Sequence, residues 1–137
     1  MSVLSNLSSP LWLRRVLWAD AASGIAIAAL QLMFAGPLSA LLGLSAALLR
    51  GSALVLLAYV VLASVLAARS GQPRWLLALL VIDNWAWVAG CLLLAFGPVA
   101  APTALGIAYL LLQAVAVAAL AELQWLGLRR APAAFAA

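Results

Sequence analysis

The 137-residue sequence carries three carboxylates, Asp20, Asp83 and Glu122, each set in a run of aliphatic side chains. In such surroundings a carboxylate can hold a proton, bind a cation or accept hydrogen bonds from a neighbouring helix. Asn84 follows Asp83 directly and Gln124 lies two residues beyond Glu122, so amides are at hand to complete a polar cluster. A second polar set, Gln31, Arg50 and Gln113, falls towards the other ends of the same apolar runs. Two amide carbonyls can serve a guanidinium there, although Arg50 equally suits a helix end from which it snorkels outward. Trp18, Trp85 and Trp87 sit deep in apolar sequence. They suit either packing bulk or the wall of a pocket for a lipid tail, quinone, pigment or aromatic cation.

What is missing narrows the chemistry further. There is no histidine, and the single cysteine, Cys91, lies in an apolar segment. No intrachain disulfide, Cys/His zinc site or His-ligated haem can be built from that inventory. No Ser/His pair, phosphate-cradling glycine loop or metal-ligand cluster is recognisable, so the sequence predicts no catalytic residue, metal or cofactor.

The elements that position these residues follow from composition. The chain is 69% hydrophobic and 7% charged, with a mean hydropathy of +1.25. Seven basic and three acidic residues cannot cover the surface of a soluble domain. The solvent for most of the chain is therefore lipid. Apolar stretches at 12–34, 48–69, 75–96 and 103–127 are each long enough to cross about 30 Å of hydrocarbon as a helix. Pro10, "FAGP" (34–37), "SGQPR" (70–74) and "FGPVAAP" (96–102) punctuate them. The apolar "LSALLGLSAALL" (38–49) reads as a short interfacial helix over 38–46 or an extension of the second span. The first apolar run is nearer twenty residues than twelve, which predicts a retained helix rather than a cleaved signal.

Every basic residue is arginine, and all lie towards segment ends. Six of them, Arg14, Arg15, Arg69, Arg74, Arg129 and Arg130, flank one side of the spans, against Arg50 on the other. That bias predicts both termini in the cytoplasm, and it reads the basicity as membrane topology rather than a nucleic-acid footprint. Counted along helices from the inner arginines, the three acids occupy one slab roughly 8–14 Å deep. Crowding and desolvation within such a slab favour a proton shared between carboxylates.

Two hairpins share a frame. Pro10-x-Trp12 matches Pro73-x-Trp75, ten residues from each proline stands Asp20 or Asp83, and Phe34 and Phe96 each precede a Gly-Pro with one residue of slippage. We read this as a tandem duplication with parallel orientation, which makes Asp20 and Asp83 counterparts. On the first span Asp20, Gly24, Ala28 and Gln31 share a face suited to close helix packing. On the third, Asp83, Trp87, Gly90 and Cys91 form the matching stripe. On the fourth, Ala114, Ala118 and Glu122 oppose Tyr109, Gln113 and Gln124. Two polar faces on one helix predict that one of them meets a second subunit, a partner protein or a bound lipid.

The segments "LRRVLWADAASG" (13–24), "GPLSALLGL" (36–44), the Asn84/Trp87 region and "AELQWLGLRR" (121–130) together resemble a group of small bacterial inner-membrane proteins. That group has four expected helices and no assigned activity, so the resemblance implies location and fold alone. The expectation is thus an all-α, polytopic membrane protein of four helices in two tandem hairpins, with both termini inside. It is read as non-enzymatic, and as a homo-oligomer or an accessory subunit of a larger membrane complex. Two alternatives accompany it: a small proton- or cation-coupled transporter using Asp20, Asp83 and Glu122, and a binder of a lipid, quinone or pigment through the deep tryptophans.

Overall fold

The computed structural model describes residues 10–69 and 73–130. The described residues form five helices: α1 (Pro10–Met33), α2 (Ala35–Leu42), α3 (Ala46–Ala68), α4 (Arg74–Phe96) and α5 (Ala104–Arg130). Among the described residues there is no strand. The four long helices are each long and apolar enough to cross a membrane, which supports a multi-pass membrane protein. Their bounds lie within three residues of the expected spans, whereas the short helix starts three residues earlier than 38 and ends at Leu42.

Local chemistry explains the ends. Pro37 has no N–H to give to Met33, and its ring crowds that carbonyl, so α1 breaks at Phe34 and α2 begins. Gly43, in the left-handed region at φ 71°, closes α2, its N–H donating to Ser39 O. Ser45 then caps α3, its side chain accepting from Leu48 N–H. Thr103 does the same for α5, accepting from Gly106 N–H at 3.1 Å. Of the "SGQPR" punctuation, residues 70–72 lie outside the described residues. Pro73 caps α4 with φ −59° and ψ 133°.

Helix α1 packs along α3, and α4 along α5. The two hairpins meet mainly through α1 and α5, with α3 and α4 touching little. The buried rows repeat at intervals of three and four residues: Leu13, Leu17, Asp20, Gly24, Ala28 and Gln31 on α1, and Leu77, Val81, Asn84, Val88, Cys91 and Ala95 on α4. That period brings knobs into holes between neighbouring helices. At the arginine-rich end, one cluster draws on all four long helices, including Leu17, Leu66, Leu77 and Leu128. At the opposite end a second cluster joins Leu42, Leu44 and Leu49 to α4 and α5. Outward-facing residues are mostly apolar: Leu54, Val61, Ile82, Leu112 and Val115 are all more than 60% exposed. Such a surface is stable against lipid tails and not against water.

Backbone groups tie the hairpins at both ends. Arg14 Nη2 donates to Arg69 O at 2.9 Å, and Arg74 Nη1 donates to Leu128 O at 3.0 Å. In each hairpin an arginine at the start of one helix thus serves carbonyls at the end of its partner. At the opposite end, Thr103 N–H donates to Leu42 O at 3.0 Å, and Thr103 Oγ1 donates to Leu41 O at 2.7 Å. This clasp requires glycine at 106, because a Cβ there would lie 2.0 Å from Leu42 O.

Candidate functional site

Asp20 is the buried carboxylate of the bundle, 4% exposed on α1. Its Oδ2 receives donors from the other three long helices. Tyr59 Oη on α3 donates to it, as does Gln124 Nε2 on α5 at 2.6 Å. Asn84 Nδ2 on α4 reaches it at 3.5 Å and also donates to Gln124 Oε1 at 3.0 Å. A phenol and two amides around one carboxylate oxygen make a charge-assisted network with every member on a different helix.

A second network lies eleven residues further along α1, roughly 16 Å away at helical rise. Gln31 Nε2 donates to Tyr109 Oη at 2.9 Å, and Ser52 Oγ reaches Gln31 Oε1 at 3.1 Å. Trp87 Nε1 donates to Gln113 Oε1 at 3.1 Å, one helical turn along α5 from Tyr109. Between the two networks, where α3 and α4 diverge, is a cavity of about 800 Å³. Asp20, Tyr59 and Asn84 face one part of it, and Gln31, Tyr109 and Gln113 another. Its walls are otherwise mostly aliphatic, with Trp87 and Cys91 contributed by α4. A space of this size with apolar walls and a few convergent polar groups is the usual form of a small-molecule site.

The expected site residues divide on this geometry. Asp20, Asn84, Gln31 and Gln113 are all buried in the two networks. The stripe Asp20, Gly24, Ala28, Gln31 faces inward as its spacing indicates, with Gly24 so close to α3 that a Cβ would lie 2.6 Å from Val60 Cγ2. Asp83 and Glu122, by contrast, are exposed, and among the described residues no three acidic or thiol groups converge. The three acids therefore share a depth but not a cluster. The α4 stripe is turned by one residue, so Asn84 takes the inward slot expected for Asp83. The physical reason is charge: an amide can donate to Asp20 and Gln124, whereas a second carboxylate would repel the first. On α5 the amide face points inward and Glu122, two residues from Gln124, points away.

Asp20 and Asp83 thus stand at equal spacing from their prolines but in unequal surroundings, the one buried and the other exposed. Arg50 is exposed beside the buried Leu49 and takes no part in the Gln31 network; Ser52 supplies the α3 group there. Of the deep tryptophans, Trp87 lines the cavity, while Trp18 and Trp85 are 47% and 40% exposed on the outer surface. Trp18 lies two residues from Asp20, hence nearly opposite on α1.

Two groups escaped the sequence reading, Tyr59 and Ser52. The signal for Tyr59 was available: a phenol in the middle of an aliphatic span must find a hydrogen-bond partner, and Asp20 lies on the neighbouring helix. No protein-family model, curated protein or solved structure matches the chain.

Proposed function

We propose that this chain is a non-enzymatic protein of the bacterial inner membrane whose inter-hairpin cavity receives a small, largely apolar molecule. One observation carries the reading: a cavity of about 800 Å³ with hydrogen-bonding groups towards both ends. A molecule with a polar head and an apolar body would bury its body against Leu48, Leu56 and Leu94, and present its head to the Asp20 or Gln31 network. The arginine-rich end then faces the cytoplasm. Glu122, carried outside the bundle on α5, supports a second copy or a partner subunit over that face.

Native mass spectrometry of protein gently extracted from membranes tests this. The wild type should carry a small-molecule adduct that the Gly90→Phe variant lacks. Gly90 lines the cavity and nothing lies within 4 Å of a Cβ built there, so a large side chain at this position starts from open space. The same spectrum reads the oligomeric state. An adduct of equal occupancy on both proteins would contradict the proposal.

Asp20 on the cavity wall favours a second reading, in which the bound molecule moves in exchange for a proton or cation. Its test is flux in liposomes, which Asp20→Asn abolishes if the carboxylate is the coupling group.

A further inference from the structure

We infer that the ligand of this cavity is a lipophilic organic cation, an inference that rests on the cavity being a binding site. The cavity itself makes the case for a ligand, and the charge of its lining sets the sign. Asp20 and Asp83 both face it, and none of the residues lining it is basic, although the chain holds seven arginines. The two carboxylates stand at one level, since Asn84, the neighbour of Asp83, reaches Asp20 Oδ2 at 3.5 Å.

Asp83 is informative because it is exposed and lines the cavity at once. Nine residues along α4 from Arg74, it lies about 14 Å from that end of the helix. A carboxylate at that depth beside lipid is costly unless a cation compensates it. Asp20 already accepts from Tyr59, Gln124 and Asn84, so Asp83 is the carboxylate left to meet an incoming charge.

Aromatic groups point the same way. Trp87, Tyr59 and Tyr109 all line the cavity, and ring faces attract cations most strongly where water is excluded. The volume argues against a bare metal ion, which needs a tight set of oxygen ligands, and for a cation carrying apolar substituents. The charged head would sit between Asp20 and Asp83, with its apolar body extending towards Gln31 and Tyr109.

Three probes of one shape and different charge separate the sign of the site from its existence: tetraphenylphosphonium, neutral tetraphenylsilane and tetraphenylborate. Each is measured by equilibrium binding to the purified protein in non-ionic detergent. The phosphonium should bind at least about tenfold tighter than the other two. Asp83→Asn, at an exposed position outside both networks, should keep the fold and lose most of that preference. Gly90→Phe should remove binding altogether. Equal affinity for all three probes, blocked by Gly90→Phe, would overturn the cation while leaving the cavity as a site. A phosphonium preference unchanged in Asp83→Asn, or no phosphonium binding to the wild type, would also overturn it. The cavity reading would in each case still be judged by the native adduct.

Discussion

Tyr59→Phe removes one oxygen from the bundle and exposes what the Asp20 network contributes. The Tyr59 hydroxyl donates to Asp20 Oδ2, beside the Gln124 amide at 2.6 Å and the Asn84 amide at 3.5 Å. Without it, the buried carboxylate keeps one short hydrogen bond and one long one. Hydrogen bonds to charged groups contribute about 1.5–3 kcal/mol, while side-chain bonds between membrane helices average about 0.6 kcal/mol. A charge-assisted bond within a membrane bundle should fall where these ranges approach each other, at ~1.5–2 kcal/mol. Tyr109→Phe is the matched control, because Tyr109 accepts from the neutral Gln31 amide at 2.9 Å. Its loss should stay near 0.6 kcal/mol, at about that membrane average. Reversible unfolding in mixed micelles, titrated with a denaturing detergent, measures both. A double-mutant cycle between Tyr59→Phe and Asp20→Asn should return a coupling of about 1 kcal/mol. Equal losses for the two tyrosines, or additivity in the cycle, would mean that the Tyr59 hydroxyl gives Asp20 no more than a neutral hydrogen bond gives.

Gly106→Ala should destabilise the protein by more than about 2 kcal/mol, because its Cβ would meet Leu42 O at 2.0 Å and break the clasp at Thr103. Gly51→Ala on α3, with nothing within 4 Å, should change stability by less than about 1 kcal/mol in the same unfolding assay. The three acids should separate cleanly. Asp20→Leu strands the Tyr59 and Gln124 donors, at about 1–3 kcal/mol each, whereas Glu122→Gln, outside the bundle, should shift stability by less than about 0.5 kcal/mol. If Glu122→Gln unfolds the monomer as readily as Asp20→Leu does, the placement of α5 is wrong.

The sequence made the helices legible because lipid imposes a simple rule: apolar runs of sufficient length become helices, and proline, glycine and serine mark their ends. The α1 face was equally readable, since Asp20, Gly24, Ala28 and Gln31 recur at one helical phase and no rival polar stripe competes with them. On α4 the phase was ambiguous by one residue, because Asp83 and Asn84 are adjacent. Choosing between them requires knowing that Asp20 and Gln124 face the same point, a fact of helix packing. The α5 helix posed the same problem, with Glu122 and Gln124 on nearly opposite faces. Tyr59 carries no charge and so does not stand out among aliphatic residues in the sequence, although its hydroxyl is what α3 contributes to the network. The cavity was illegible altogether. It arises from how little α3 and α4 touch, which depends on the two hairpins as assembled bodies rather than on any residue pattern.

A high-resolution structure of the protein in lipid nanodiscs would show whether the space between the hairpins holds a ligand. Helices α3 and α4 should stand apart, with continuous non-protein density between Tyr59 and Trp87 and in reach of Asp20. Helices α3 and α4 closed against each other, with side chains filling that space, would contradict the proposed function.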